Sequence, residues 1–116
     1  MKYIKIKTEF EGFHKYENAP EEVKFLRNLH RHIFKVEVKI EVRENDRELE
    51  FFIVKRNLNR LIEQYKRESE ETDSCEMVAE YILDYLEATY RARRIQVEVS
   101  EDGENSGIIN NYDSFE

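Results

Sequence analysis

The chain has three histidines, His14, His30 and His32, and each falls on a row of apolar side chains. From Leu29 to Arg43 the residues alternate. His30, His32, Phe34, Val36, Val38, Ile40 and Val42 share one parity, and Lys35, Glu37, Lys39, Glu41 and Arg43 the other. That is the pattern of a β-strand with one buried face. Tyr3 to His14 repeats it, with Ile4, Ile6, Thr8, Phe10, Gly12 and His14 in one row. His30 and His32 therefore project side by side, and His14 arrives on a strand that could pair beside them. Three imidazoles with an open fourth position form the ligand set of catalytic zinc, which polarises a carbonyl or hydroxyl or activates water. The alternative is that each ring is an interior histidine satisfied by hydrogen bonds or the exposed end of a strand, because a dry, unpaired ring nitrogen costs free energy. The spacing alone leaves both readings open.

Two carboxylates and a thiol complete the reactive groups. Arg94 to Glu101 reads as a strand with Ile95, Val97 and Val99 on one face, and the same parity carries Glu101 onto the apolar row. A buried carboxylate needs donors, and a planar heterocycle with adjacent N–H groups supplies two. A solvated strand-end acid is the plainer reading. Glu76 stands in the first turn of a helix, where interaction with the dipole explains an acid as well as ligand binding does. Cys75 at that helix start has no base identified beside it, and a small filler role suits it better than a nucleophile's.

The elements that position these groups follow from period and punctuation. The segment KYENAPEEVKFLRN holds the only proline, Pro20, then Glu21 and Glu22, and reads as a covering loop with at most one helical turn. RENDR, Arg43 to Arg47, reads as a turn leading into a third strand, Glu48 to Val54. From Asn57 the period becomes helical, with Asn57 as cap and Leu58, Leu61, Ile62 and Tyr65 on one face. Asp73 or Ser74 caps a second helix whose apolar face is Met77, Val78, Tyr81, Ile82, Tyr85 and Leu86. The tail from Asp102, holding Gly103 and Gly107, reads as loop. The expected order is β-β-β-α-α-β, an α+β domain with two helices on one face of a four-stranded antiparallel sheet.

Composition bounds the function. A length of 116 residues suits one domain, residues 1–116. Charged residues make up 39% and hydrophobic ones 40%, so an ordinary core sits under a polar surface. The net charge of -7, with no clustered Lys and Arg, argues against a nucleic-acid partner. No apolar run approaches a membrane span, and the N-terminus alternates like a strand instead of showing the apolar stretch of a signal peptide. The lone cysteine excludes an internal disulfide and fits a reducing, cytoplasmic setting.

Taken in order, Phe10-Glu11-Gly12-Phe13-His14, Leu29-His30-Arg31-His32, Asp73-Ser74-Cys75-Glu76 and Val97-Glu98-Val99-Ser100-Glu101 resemble the 6-pyruvoyl-tetrahydropterin synthase and 6-carboxy-tetrahydropterin synthase family over nearly the whole chain. That family's motifs read F-x-A-A-H, H-G-H, P-T-S-E and V-x-E-T. The resemblance implies a T-fold homo-oligomer, hexamer or tetramer, whose sheets close into a barrel with sites between subunits. It implies zinc on His14, His30 and His32, a pterin- or purine-like ring anchored by Glu101 with help from Glu76, and carbon–oxygen lyase chemistry on a dihydroneopterin-type substrate. The chain departs from the family at Leu26, where the family has a cysteine four residues before the first histidine of H-G-H, and it has no fourth histidine for the family's Asp-His pair. The first reading is a zinc-dependent pterin-processing protein, with Glu21 or Glu22 far better read as surface acids than as proton carriers. The alternatives are a non-catalytic ligand-binding or sequestering protein and a structural oligomer whose histidines bind nothing.

Overall fold

In the computed structural model, which describes residues 1–115, two long strands open the chain: β1 (Lys2–His14) and β2 (His30–Val42). They pair antiparallel along their whole length, from Lys2 opposite Val42 to His14 opposite His30. Residues facing each other across an antiparallel pair share a face, so the two alternating rows merge into one apolar surface. The segment between them carries two 3-10 turns, Glu21–Arg27, broken at Val23. Arg27 ties this segment down by donating to the carbonyl of Ala19 through Nε and Nη2.

Two helices then cover that surface, α1 (Phe51–Glu68) and α2 (Cys75–Thr89), followed by a hairpin of β3 (Ile95–Glu101) and β4 (Asn105–Asn110). The sheet order is β1-β2-β3-β4, antiparallel throughout. The core fills the space between sheet and helices, with Val36, Val38, Ile40, Leu58, Ile82, Leu86, Ile95, Val97 and Val99 fully buried. α1 lies over β1 and α2 over β3 and β4, and the two helices meet through Tyr65 and Tyr81, whose rings are 5.1 Å apart.

The α+β architecture is as expected, but the fourth strand stands at the other end of the chain, giving β-β-α-α-β-β. Glu48 to Val54 is not a strand. Glu50 accepts from the backbone N–H groups of Phe52 and Ile53 and caps α1 seven residues before Asn57. Asn57 lies inside the helix, where its side chain donates to the Tyr90 hydroxyl. The apolar run Phe51-Phe52-Ile53 misleads because it faces outward, with Phe52 80% exposed, while Val54, Leu58, Leu61 and Ile62 form the buried stripe. RENDR is a turn, but it joins strand to helix. The residue of that turn at positive φ is Arg47. Arg93 holds the turn by donating to Glu48 at 2.5 Å and to the Glu41 carbonyl at 3.1 Å.

The tail expected to be loop instead holds β4. Asp102 and Gly103 both take positive φ, 56° and 78°, and fold the chain back so that Glu101 pairs with Asn105. Asp-Gly at such a corner is a strong hairpin signal. For α2 the cap is Ser74, which accepts from the Met77 N–H, while Asp73 accepts the Tyr65 hydroxyl at 2.8 Å.

Candidate metal centre

His14, His30 and His32 meet at one end of the sheet, on the face the helices cover. The register makes this unavoidable: His14 is directly opposite His30, and His32 is opposite Gly12, two pairs further in and so on the same face. Their ring centroids lie 4.5, 4.8 and 4.9 Å apart, and their planes stand at 70° to 88° to one another. One nitrogen from each comes within 4.8 Å of the other two, a grouping that could hold a metal ion. Phe34 forms the floor, its ring 5.4 Å from His14 and 5.7 Å from His32. Gly12 makes room for that floor, since a Cβ at this position would stand 2.9 Å from Cε2 of Phe34.

Each ring of β2 is held from behind. His30 Nδ1 lies 2.7 Å from the Asn28 carbonyl oxygen and His32 Nδ1 lies 2.7 Å from Oδ2 of Asp102. Both contacts fit an imidazole that donates from Nδ1 and keeps the Nε2 lone pair free, the tautomer a metal ligand needs. The Nε2 atoms of His30 and His32 are buried and have no hydrogen-bond partner. Unpaired buried nitrogens are costly, and a metal ion would satisfy both, so the residues present fit the group. Burial, first of all, holds the His14 imidazole below the usual histidine range, against the opposing pull of Glu101 and the Asp73 backbone. A ring that resists protonation keeps its lone pair available to a metal.

Asp102, which the sequence pattern places at the start of a loop, also belongs to this centre, where strand parity gives no sign of it. Its Oδ1 accepts the Ile33 N–H at 2.8 Å and its own N–H donates to the Ile33 carbonyl at 2.8 Å. The carboxylate is thereby aimed at His32, and the His32 hydrogen bond, followed by the one from the Ile33 N–H, holds its pKa below the ordinary carboxylate range. The Asp-Gly corner next to Glu101 was the available signal.

Glu101 ends the buried row of β3 as its parity required, opposite Phe34. Its carboxylate oxygens stand 3.5 Å from Nε2 of His14 and 3.4 Å from Nε2 of His32. A cavity of about 520 Å³ opens beside it, lined by His14, His30, Glu76, Glu101, Leu26 and Cys75 among others. Glu76 enters from the first turn of α2, above Gly107 of β4, where a Cβ would come within 2.8 Å of its side chain. Leu26, where the resemblance puts a cysteine, lines this same cavity with a hydrocarbon. The one thiol nearby, on Cys75, is buried and 3.9 Å from Glu101 Oε1. Burial, then the Glu101 and Glu76 carboxylates, push its pKa up to about 12, which favours the neutral thiol. Glu21 pairs with Lys24 and Arg27 at the surface, and neither it nor Glu22 lines the cavity.

Among the described residues, no helix is long and apolar enough to cross a membrane. A family model described as 6-pyruvoyl tetrahydropterin synthase matches residues 3–111. None of the curated proteins matches the chain.

Proposed function

We propose that this chain, which belongs to the 6-pyruvoyl tetrahydropterin synthase family, holds zinc on His14, His30 and His32 and takes a pterin- or purine-like ring against Glu101, acting on or binding a dihydroneopterin-type ligand. The observation that carries the metal reading is the pair of buried, unpartnered Nε2 atoms on His30 and His32, each with its Nδ1 already anchored. Zinc at this position would polarise a hydroxyl or carbonyl of the ligand's side chain. The remaining work falls to the chain. Glu101 accepts from adjacent ring N–H groups, as an ionised carboxylate does when donors come in pairs. Glu76 supplies a second carboxylate from the helix start. Phe34 packs beneath the histidines and keeps water from their inner side.

A second reading is a non-catalytic binding or sequestering protein on the same site. It is favoured by one specific observation: the cavity presents the hydrocarbon of Leu26 at the position where the resemblance puts the acid–base cysteine. Both readings include a homo-oligomer, hexamer or tetramer, with sheets joined edge to edge into a barrel; β1 and β4 are the free edges of the sheet. The single free cysteine supports a cytoplasmic setting.

Metal analysis of chelator-free protein tests the first element of the proposal. Near-stoichiometric zinc that falls with His30→Ala is expected; no zinc, and unchanged stability in the variant, would refute it. Incubation with dihydroneopterin triphosphate then separates the two readings. Turnover supports the enzyme, and tight binding without turnover supports the sequestering protein.

A further inference from the structure

The two helices carry opposite charges on their outer faces. On α1, Lys55, Arg56, Arg60 and Arg67 lie along one exposed stripe with Phe52 and Asn59. None of these four bases is ion-paired among the described residues, and the one acid in the stripe, Glu63, is met by Lys66 at 3.8 Å. On α2, Glu80, Asp84 and Glu87 are exposed and recur at helical spacing, also without an ion-pair partner among the described residues. The expectation of no clustered Lys and Arg therefore fails on α1: a chain of net charge -7 gathers a positive strip there once the helix winds these four bases onto one face.

The placement of the stripes relates them to the sheet edges. Asn59 of the basic stripe accepts a hydrogen bond from the Thr8 hydroxyl of β1 at 2.6 Å, so the stripe runs beside the β1 edge. On α2, Tyr81 faces α1, whereas Glu76 lies over Gly107 of β4. Glu80 and Glu87 follow Glu76 four and eleven residues on, within about 40° of it around the helix, so the acidic stripe runs beside the β4 edge. One sheet therefore has a basic flank at one free edge and an acidic flank at the other.

We propose that the basic stripe of α1 docks on the acidic stripe of α2 in a second copy of this chain, and that this contact sets which sheet edge meets which. The inference rests on the homo-oligomer proposed above and adds the charged side chains of this chain that hold it together. A contact between two different surfaces is head-to-tail and closes into a ring when the rotation permits. Because β1 and β4 run in opposite directions, joining them continues the antiparallel sheet. α1 begins, and α2 ends, at the end of the sheet remote from the histidines: Phe51 lines one cleft with Val42 of β2, and Arg43 donates to the Ala92 carbonyl. Lys55 and Arg56 then come level with Asp84 and Glu87, and Arg60 with Glu80. The same charges place like against like if two β1 edges or two β4 edges approach, which discourages the wrong pairing.

The test is the molar mass of the full chain by light scattering and sedimentation, over a range of concentrations. The wild type is expected at a multiple of 14.1 kDa, dissociating more readily as salt is raised from about 0.05 to 0.5 M. Reversal of two bases, Arg56→Glu with Arg60→Glu, is expected to raise the concentration needed for assembly by about 100-fold or more, each lost or inverted contact counting for a few-fold. Adding Glu80→Arg and Asp84→Arg to that chain is expected to restore assembly to within about tenfold of wild type, with the far-UV spectrum unchanged throughout. A wild type that is a single chain even at low salt overturns this inference and the oligomer reading together. An assembled wild type indifferent to the double reversal, or a fourfold variant that stays dissociated, overturns the charge pairing and leaves the oligomer standing.

Discussion

Replacing Asp102 by asparagine changes one atom's chemistry at the histidine centre while keeping the shape of the hairpin corner. Asparagine tolerates the positive φ of 56° found there, and its amide oxygen can still accept the Ile33 N–H that Oδ1 accepts now. The NH₂ group then takes the place of Oδ2, 2.7 Å from Nδ1 of His32. Two donors cannot face each other, so His32 must give up its Nδ1 proton and carry one on Nε2, the nitrogen that points at the metal position. The ring is held in the tautomer that cannot ligate. Loss of such an outer-shell partner costs about 10- to 100-fold in metal affinity, and here the asparagine also selects the wrong tautomer, so the upper half of that range is expected. The assay is competition for zinc with a chromophoric chelator, paralleled by the absorption of the cobalt-loaded protein, which reports ligand identity. Thermal unfolding of the metal-free variant should match wild type, since the corner keeps its backbone hydrogen bonds. A variant that binds zinc within twofold of wild type, with an unchanged cobalt spectrum, would show that Asp102 does not orient His32.

Three other outcomes follow from the same structure. Gly107→Ala puts a methyl 2.7 Å from the backbone nitrogen of Glu76; the first turn of α2 must shift, and urea unfolding should show a loss of about 1–3 kcal/mol, with an unchanged midpoint counting against the close approach. Cys75, whose thiol pKa moves from 9.0 to about 12, should react with iodoacetamide at pH 8 roughly a thousandfold more slowly than an ordinary exposed cysteine, and equal rates would contradict that shift. Glu48 has its pKa lowered from 4.5 to about 2, chiefly by its hydrogen bond to Arg93 and then by the Arg43 N–H. A depressed carboxylate pKa stabilises the fold above pH 4.5, and the contribution is lost as pH falls towards and below 2. Wild type should therefore exceed Glu48→Gln in stability at pH 6, with the gap closing progressively below pH 4.5; a gap that is constant with pH would refute the assignment.

The histidine triad and Glu101 were legible in the sequence because strand parity is a two-residue rule: once β1, β2 and β3 alternate, the residues at their ends inherit the face of the row. The antiparallel register that sets His14 against His30 needed only that the strands pair as neighbours. Parity could not reveal what lies behind a ring, so Asp102 and the Asn28 carbonyl, both reached through backbone turns, stayed hidden. The run from Glu48 to Val54 failed for a different reason. Its apolar residues suggested burial, yet Phe51, Phe52 and Ile53 are spread over the outward face of a helix, and the capping group is the side chain of Glu50. β4 has the composition of a loop, with three asparagine or serine residues and a glycine in NSGIIN, and becomes a strand because the Asp102-Gly103 corner folds it onto β3. Its glycine is there for the helix above it and says little about the strand itself.

The separation of His32 from Asp102 also bears on how the protein comes to its native state. They stand 70 positions apart, and β2 meets β3 only after both helices have been laid down between them. Local contacts can build the β1–β2 hairpin and each helix early, whereas closing the β2–β3 seam carries the entropy of a long loop. During synthesis the three imidazoles emerge well before the carboxylates that face and orient them. A metal meeting the nascent chain at that stage would find three mobile rings with unfixed tautomers. The seam is therefore both the late event of folding and the step that turns a cluster of histidines into a directed site.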